Sequence, residues 1–451
     1  MSDLGWLGAA EGAQCIAAGR LTAQAWTEAL LARCAALQPG LAAWITLDAA
    51  GAMAAARSAD AVASIGPLHG VPFGLKDCID AAGLRGTGHS RLHLHRVPGA
   101  DALVTARLRA AGAGLLSKQA MYELSYGGPS FDLAFPSARN PWDPDRVPGG
   151  SSSGSAAAVA SGQGPLAVGT DAGGSIRQPA AYCGVVGLKP TLGLVPKTGV
   201  LPMTFTMGEP GPVARNVEDC ALLLDAIAGT ATTATLGAGV AGARIGVLRS
   251  FFAGEVVAKP EVVAAVERCL SILAALGASL TEAMPPLPHE LDACGRVILL
   301  AEAFANHEAQ LRVDPSLYGK LARHRFALGA FLSAADLLQA QRKREVLAVR
   351  MDALFESHDL LVCAVEVSGA PRFDDAVSGE SFPFVAQPSL RIPFNLTGHP
   401  ALALPCGFDP QGMALSLQLV GRRGGEARML VVAAALESKL GVRDARPPRF
   451  T

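Results

Sequence analysis

The sequence lacks an excess of charge of either sign. Its 451 residues carry a formal net charge of −1, and no block of basic residues occurs along the chain. Proteins bind nucleic acids largely through cationic contacts to phosphate, so this balance argues against a nucleic-acid partner. A small substrate with little or no charge fits the composition better.

Paired cysteines and clustered histidines are also missing. The 9 cysteines are scattered, odd in number and without a C-x-x-C pair. This usage is typical of reduced thiols in a cytoplasm, and not of a disulfide framework or a zinc site. His93 and His95 have no acidic or thiol neighbour at ligand spacing, and we interpret them as part of a polar surface stretch. We expect a cytoplasmic protein that uses neither a metal nor a cofactor.

Long hydrophobic segments are absent as well, although 50% of the residues are hydrophobic. No run reaches the roughly 18 consecutive apolar residues of a membrane-spanning helix. Residues 1–5 contain neither a basic region nor the start of an apolar one, so no signal peptide is indicated. We therefore expect no membrane partner.

What the chain does contain is an alternation of helical and strand periods, which is typical of an α/β protein with a largely buried sheet. Apolar residues at helical spacing predict helices at 22–36, 49–62, 101–111, 216–228, 261–276, 297–312, 334–356 and 425–440. Short apolar runs predict strands at 42–47, 114–116, 166–169, 245–248, 360–364 and 401–405, and one within 70–77 that ends on a lysine. The proline, glycine and serine content of 127–155 predicts a long ordered loop, and Pro-Gly-Pro at 210–212 predicts a turn.

The number of domains depends on residues 230–242. This polar connection, rich in alanine and glycine, could be a boundary, yet strands are predicted on both sides of it and could join one sheet. We favour a single domain over residues 1–451. It would comprise a helical part at 1–62, a core at 63–228, and the rest of the sheet with substrate-covering helices at 243–451.

The glycine-rich segment 169–177 (GTDAGGSIR) is the first candidate for chemistry. A glycine-rich turn after a strand can point successive backbone N–H groups in one direction, and such a nest stabilises negative charge that develops on a carbonyl oxygen. Ser175 ends this turn, with its hydroxyl beside that charge. A serine is a poor nucleophile until a base removes its proton.

No histidine lies near Ser175 in the sequence, although a base and a nucleophile need be adjacent only in space. Lys76 is the other candidate base. An ammonium group at the end of a buried apolar strand loses hydration, so its pKa falls and the neutral amine can accept a proton near pH 7. A hydroxyl from the serine cluster at 151–153 could relay the proton. A buried lysine more often pairs with a carboxylate, and Asp77 or Asp80 could serve. On the residues alone, both interpretations stay open.

Three shorter motifs are rejected. Residues 150–154 fit G-x-S-x-G with Ser152 as nucleophile, but that motif needs a strand just before it, which the prolines of 141–148 exclude. Residues 197–199 (KTG) imitate a β-lactamase box without its S-x-x-K partner. Residues 237–242 fit G-x-G-x-x-G but precede their strand, so a dinucleotide site is not indicated.

Four separated segments of the chain resemble the amidase signature family. They are 74–77 (GLKD), 148–156 (PGGSSSGSA), 169–177 (GTDAGGSIR) and 183–191 (CGVVGLKPT), and the likeness extends to 393–401 (PFNLTGHPA). Their order, and the 24-residue step from Ser151 to Ser175, match the Ser-cisSer-Lys triad of that family. The resemblance implies an α/β amidase signature fold, with a large mixed central β-sheet covered by helices on both faces.

The resemblance also implies a role for each residue of the triad. Ser175 would be the nucleophile that carries the acyl group. Ser151 would be the bridging serine, preceded by a cis peptide bond from Gly150. Lys76 would be the general base and would later protonate the leaving amine.

The remaining site residues form two groups. The backbone N–H groups that would form the oxyanion hole belong to Ala172, Gly173, Gly174 and Ser175. Substrate contacts are predicted for Tyr126, Gly127 and Arg177. For Arg177, an ion pair that ties the loop to a carboxylate such as Asp171 is favoured over recognition of an anionic substrate.

Two functions follow from the resemblance. The first is a stand-alone hydrolase that splits the C–N bond of a small carboxamide into a carboxylate and ammonia or an amine, with a homodimer left open. The second is an A-type amidotransferase subunit, which releases ammonia from glutamine for a partner protein acting on aminoacyl-tRNA. An amidase-like scaffold without activity is least favoured, because the triad is intact.

Two departures from the family pattern bear on this choice. Residues 229–234 lack the Asp-rich stretch usual in the A-type amidotransferase subunits, which weakens the second function. Residues 365–392, which contain Arg372, Phe373 and the FPF sequence at 382–384, match no family pattern. We expect this segment to overhang the acyl pocket, so the identity of the amide stays open.

Overall fold

The computed structural model of the chain describes residues 4–377 and 387–449, so the FPF sequence at 382–384 lies outside the described residues. The strands are β1 (Trp44–Leu47), β2 (Pro72–Lys76), β3 (Gly114–Gln119), β4 (Leu166–Asp171), β5 (Val186–Lys189), β6 (Glu209–Ala214), β7 (Arg244–Val247), β8 (Ser279–Glu282), β9 (Leu360–Ala364), β10 (Ala401–Phe408) and β11 (Ala414–Gly421). They form one mixed sheet in the order β1-β3-β2-β4-β6-β5-β10-β11-β9-β7-β8.

Helices cover both faces of this sheet. They are α1 (Ala9–Ala17), α2 (Ala23–Leu41), α3 (Ala49–Asp60), α4 (Leu103–Ala110), α5 (Ser153–Ala160), α6 (Arg177–Cys183), α7 (Val217–Ala228), α8 (Pro260–Ala275), α9 (Pro288–Val313), α10 (Lys320–Ala327), α11 (Ala334–Asp352), α12 (Leu354–Ser357), α13 (Phe373–Val377), α14 (Ile392–Leu396) and α15 (Glu426–Leu440). The α/β class and the mixed sheet implied by the resemblance are confirmed. Among the described helices, none is both long and apolar enough to cross a bilayer.

The sheet continues across the connection at 230–242. Strand β10, which follows the connection, pairs with β5, which precedes it. Strand β9 pairs with both β11 and β7, so strands from both sides of the connection belong to one hydrogen-bonded sheet. Two parallel blocks, β3-β2-β4 and β9-β7-β8, lie on either side of a run of antiparallel pairs from β4 to β9. The assignment of one domain to the chain stays a prediction.

Side-chain caps explain where two of the predicted helices begin. The Thr22 hydroxyl accepts the Ala25 N–H at 3.1 Å before α2. The Asn216 side chain accepts the Asp219 N–H at 2.8 Å before α7. Gly229 follows the last residue of α7 and has a left-handed conformation with φ 77°. Each cap satisfies an N–H that the first turn leaves without an acceptor, so the starts predicted at 22 and 216 are confirmed.

Residues 210–212 are not a turn, and this prediction is wrong. They lie in β6, which pairs with β4 from Glu209 to Ala214. Proline is rare in central strands because it has no N–H to donate. Strand β5, however, pairs with β6 only at Val213 and Ala214. The edge of β6 that faces away from β4 therefore has no strand partner at 209–212. A proline whose nitrogen faces this edge loses no inter-strand hydrogen bond.

Besides β6, three strands are missing from the sequence prediction. Strand β5 has only four residues and lies inside a family motif. Strand β8 is a polar, mostly exposed strand at the edge of the sheet, with no apolar face to detect. Strand β11 alternates leucine with polar residues, so the period-two pattern could have identified it.

Helix α5 packs so closely on the sheet that only glycine fits near its start. A Cβ atom at Gly154 would lie 2.2 Å from the Ala43 carbonyl oxygen and 2.5 Å from the Ala120 nitrogen. We expect Gly154→Ala to push the helix away from the strands and to destabilise the protein by about 1–3 kcal/mol, the usual result of overpacking. Thermal unfolding followed by circular dichroism measures this as a lower Tm.

Gly40→Ala is the matched control for this prediction. Gly40 lies in helix α2, and no heavy atom lies within 4 Å of the position its Cβ would take. Alanine there should leave the Tm unchanged or raise it, because alanine is the better helix former. An equal fall in Tm for both variants would contradict the close packing of α5.

Candidate active site

The parallel pairing of β2 with β4 brings two chain segments together. Leu75 lies opposite Val168 in this ladder, and the strands end at Lys76 and Asp171. Neighbouring parallel strands have their carboxyl ends at the same edge of the sheet, which is where α/β sheets place their ligands. Lys76 is therefore adjacent to the glycine-rich loop that follows Asp171.

The Lys76 side chain is held by two hydroxyl groups. It is fully buried, with its Nζ 2.7 Å from Ser151 Oγ and 2.6 Å from Thr170 Oγ1. The predicted adjacency of Lys76 and Ser151 is thus present in the structure, across 75 positions of sequence.

The carboxylates considered as partners of Lys76 are engaged elsewhere. Asp77 pairs with Lys118 at 3.1 Å in a fully buried ion pair. Asp80 pairs with Arg96 at 2.6 Å. The structural alternative, in which Lys76 pairs with one of these two aspartates, is therefore wrong.

Burial lowers the pKa of Lys76 to about 8, because the ammonium form loses its hydration. Cys78 and Asp171 act in the opposite direction and limit the fall. A substantial fraction of this lysine is thus neutral near physiological pH, as a general base requires.

The loop that carries Ser151 is fixed on both sides. The peptide bond between Gly150 and Ser151 is cis, as the resemblance implies. A Cβ atom at Gly150 would lie 2.1 Å from the Tyr122 ring, so this position excludes any side chain. The Tyr122 N–H donates to the Ser151 carbonyl oxygen, and the Ser152 N–H donates to the Ser175 carbonyl oxygen, each at 3.0 Å. The last bond ties the two serine loops together.

The loop at 171–177 winds around the Asp171 carboxylate. Asp171 Oδ1 accepts the Gly174 N–H at 2.7 Å, and Oδ2 accepts the Ile176 N–H at 3.2 Å. Arg177 reaches the same carboxylate with Nε at 2.9 Å and Nη2 at 3.0 Å. The loop is therefore built on one buried ion pair.

Arg177 is fully buried, and its remaining donors also have protein partners. Nη2 donates to Asn395 Oδ1 at 2.6 Å, and Nη1 donates to Gln418 Oε1 at 2.8 Å. Burial alone would raise the pKa of Asp171, but Arg177 and Asn395 hold it well below its usual range. This geometry matches the favoured interpretation of Arg177 as an ion-pair partner; the alternative of a direct substrate contact has no geometric support.

The backbone donors of the predicted oxyanion hole differ in availability. The Gly174 N–H is used by Asp171, so a role for it in an oxyanion hole competes with that bond. Within the described residues, the N–H groups of Gly173 and Ser175 have no protein acceptor. Gly173 and Ser175 are also partly exposed, unlike the buried Ala172.

A cavity of about 170 Å³ opens beside these groups. Ser151, Thr170 and Ser175 line part of it. The segment 200–205 lines another part, with apolar side chains such as Met203 and Phe205. The cavity thus joins a polar, reactive end to an apolar surface.

Ser125, and not its neighbours Tyr126 and Gly127, lines this cavity. Tyr126 is buried, with its ring 5.6 Å from the Phe326 ring, and burial raises its pKa to about 12. A Cβ atom at Gly127 would lie 2.9 Å from Glu123 Cβ. The substrate contacts of Tyr126 and Gly127 stay predictions. Ser125 has φ 66°, a left-handed conformation that costs a non-glycine residue about 1–3 kcal/mol and is concentrated at functional sites.

The C-terminal end of the segment 365–392 lies against the loop at 171–177. A Cβ atom at Gly174 would lie 2.3 Å from Arg391 Nε, and one at Gly173 would lie 3.3 Å from Leu299 and 3.4 Å from Ile392. Arg391 also forms an ion pair with Glu366. Whether the segment covers an acyl group stays a prediction.

Sequence reasoning assigns no role to Thr170, Asn395 or Gln418. Thr170 and Asn395 lie in segments that carry the family resemblance. The sequence could therefore have singled them out, but it could not show which side chains they contact. Gln418 had no such signal, because it lies in the strand that was not predicted. In the described part of the chain, no group of three or more histidines, cysteines and acidic residues is placed to hold a metal ion.

Comparisons with known proteins agree with this architecture. The family model described as Amidase matches residues 25–430. The A-type subunit of glutamyl-tRNA(Gln) amidotransferase from Roseiflexus castenholzii (strain DSM 13941 / HLO8) is 37% identical over 477 residues, which cover 97% of this chain and 96% of that protein. A crystal structure described as an amidase is 33% identical with a TM-score of 0.88 and covers 96% of this chain and 100% of its own. An inhibitor-bound structure, described as a vestigial protein complex that reveals the origins of an s-triazine catabolic enzyme, is 31% identical with a TM-score of 0.88 and covers 96% and 98%. The chain belongs to the amidase signature family.

Proposed function

We propose that the protein cleaves the C–N bond of a carboxamide through an acyl intermediate on Ser175. One observation carries the proposal: a fully buried lysine, Lys76, lies 2.7 Å from the hydroxyl of Ser151, whose loop is tied to the Ser175 loop. The relay Ser151 and the nucleophile Ser175 thus line one cavity, and the base Lys76 lies behind Ser151.

In the acylation step, Ser175 Oγ attacks the amide carbonyl carbon. Its proton passes to Ser151 Oγ while the Ser151 proton passes to the neutral Lys76 amine. The N–H groups of Gly173 and Ser175, together with that of Ala172, stabilise the negative charge on the carbonyl oxygen. When the C–N bond breaks, the leaving nitrogen takes a proton from Ser151, which Lys76 replaces.

Deacylation repeats the same proton path with water in place of the amine. Water gives its proton through Ser151 to Lys76 and attacks the ester carbon of acyl-Ser175. The C–O bond to Ser175 then breaks, Ser175 Oγ recovers a proton, and the carboxylic acid leaves. No group outside the three side chains and the backbone donors is needed for either step.

The first test is covalent labelling with a serine-reactive inhibitor such as a fluorophosphonate, which phosphonylates the nucleophile. Ser175→Ala should form no adduct and show no turnover, because the attacking oxygen is lost. Ser151→Ala and Lys76→Ala should slow amide turnover by about 10²–10⁴-fold, the usual contribution of proton transfer. Intact-mass spectrometry measures the adduct, and released ammonia measures turnover.

The exposed residues Ser438 and Lys439 in α15 supply matched controls. Ser438→Ala and Lys439→Ala should label and turn over as the wild type does. Full activity of Lys76→Ala would refute the role of this lysine, and an adduct on Ser175→Ala would place the nucleophile elsewhere.

The second test is the pH dependence of kcat/KM. Lys76 acts as a base only when neutral, and burial lowers its pKa to about 8. Activity should therefore rise about tenfold per pH unit below that value and level off above it. The residual activity of Lys76→Ala should lack this limb. A flat wild-type profile between about pH 5 and 9 would exclude a lysine base.

A second candidate function, an A-type amidotransferase subunit, is favoured by the curated relatives. Several of them, including the proteins of Roseiflexus castenholzii and Moorella thermoacetica at 37% identity, are named as this subunit of glutamyl-tRNA(Gln) amidotransferase. These names support this alternative better than they support a stand-alone hydrolase. The missing Asp-rich stretch at 229–234 is the one sequence feature that weakens it.

Ammonia release from a panel of amides separates the two candidates. An amidotransferase subunit should hydrolyse glutamine only when a B-type partner from the same genome is added. A stand-alone hydrolase should hydrolyse one or more aliphatic, aryl or peptide amides without a partner. Glutaminase activity that appears with the partner and vanishes in Ser175→Ala would decide for the amidotransferase. A homodimer and a cytoplasmic location stay predictions under either function.

A further inference from the structure

A second cavity, of about 330 Å³, lies beside the catalytic cavity. Ser125, Leu201 and Pro202 line both, so the two spaces share one wall. The two cavities are therefore direct neighbours. At roughly 30 Å³ per water in the liquid, the second cavity has room for a group of several heavy atoms.

Part of the lining of the second cavity is polar and carries no fixed charge. This part consists of His93, Asn306, His307 and Gln310. Burial lowers the pKa of His307 to about 4 and also lowers the pKa of His93, which favours the neutral form of both imidazoles. Among the described residues, no aspartate, glutamate, lysine or arginine lines this cavity. Such a surface suits neutral groups that form hydrogen bonds, and it offers no ion pair to a charged one.

The second cavity lies on the lysine side of the site. Cys78 lines it, and Cys78 Sγ is 3.8 Å from Thr170 Oγ1, the hydroxyl that accepts the Lys76 Nζ–H. In the proposed reaction Lys76 and Ser151 return a proton to the leaving nitrogen. The leaving nitrogen therefore lies towards Lys76, and any substituent that it carries has the second cavity next to it.

We propose that the second cavity binds the amine side of the substrate, and that this substrate is a secondary amide whose nitrogen carries a neutral hydrogen-bonding group such as a further amide. The inference rests on the amidase function proposed above and adds the class of substrate. Gln310 and His93 are the specificity residues of this compartment, and neither takes part in the proton path.

Three amides with one acyl group test the proposal: butanamide, N-hexylbutanamide and N-(2-acetamidoethyl)butanamide. The two N-substituents contain the same number of heavy atoms, and the acetamidoethyl group carries an amide where the hexyl group is hydrocarbon. All three give the same acyl-enzyme, so kcat/KM for butanoate release compares acylation alone. The wild type should prefer the acetamidoethyl amide over the hexyl amide by about fivefold or more, the effect of one net hydrogen bond.

Gln310→Leu and His93→Leu should each bring this ratio towards one, because each removes a polar group from the second cavity. Gln339→Leu, on the exposed face of α11, is the matched control and should keep the wild-type ratio. A wild-type preference for the hexyl amide, or a ratio unchanged in both cavity variants, would overturn the proposal. If the wild type hydrolyses none of the three amides and forms no adduct on Ser175, the amidase function itself fails. If the wild type hydrolyses butanamide but does not prefer the acetamidoethyl amide over the hexyl amide, the proposed role of the second cavity fails and the amidase function stands.

Discussion

The buried ion pair between Asp171 and Arg177 is the interaction on which the geometry of the site depends. Two charges withdrawn from water are stable only when their remaining donors and acceptors are satisfied, and Asn395 and Gln418 complete this set. Because Asp171 also accepts backbone N–H groups of the loop, the pair fixes the backbone around Ser175 as well as the two charges. Removing one partner from such a pair costs about 3–5 kcal/mol, since the other charge is left unpaired.

Burial removes both charged groups at the strand ends, Asp171 and Lys76, from water, but the outcome for their charge differs. For Asp171, the neighbouring guanidinium outweighs the loss of hydration, so the carboxylate stays ionised. Lys76 faces hydroxyl groups instead of a carboxylate, so the loss of hydration prevails and its pKa falls. Adjacent strands thus deliver a fixed charge that shapes a loop and a lysine that can exchange its proton.

The parts of the site predicted from sequence are those whose signal is local. The glycine-rich loop before Ser175, the serine cluster at Ser151 and the lysine that ends an apolar run are each readable in a few residues. Gln418 contacts Arg177 across 241 positions, and no local pattern encodes that pairing. The turn predicted at 210–212 is wrong for a related reason. Strand β5 pairs with only the last two residues of β6, and this long-range feature allows prolines in the rest of the strand. Substrate contacts are equally hard to predict from local sequence, since the cavity lining depends on how distant segments pack.

The reactive groups and the apolar wall of the catalytic cavity come from separate stretches of the chain. Lys76, Ser151 and Ser175 are set by strand ends and a helix start, whereas the wall belongs to the segment 200–205 that follows β5. Substitutions in that segment can alter which molecule fits without disturbing the proton path. Divergence under selection can therefore change selectivity in small steps while the reactive groups are inherited unchanged, so that one scaffold can accept different substrates.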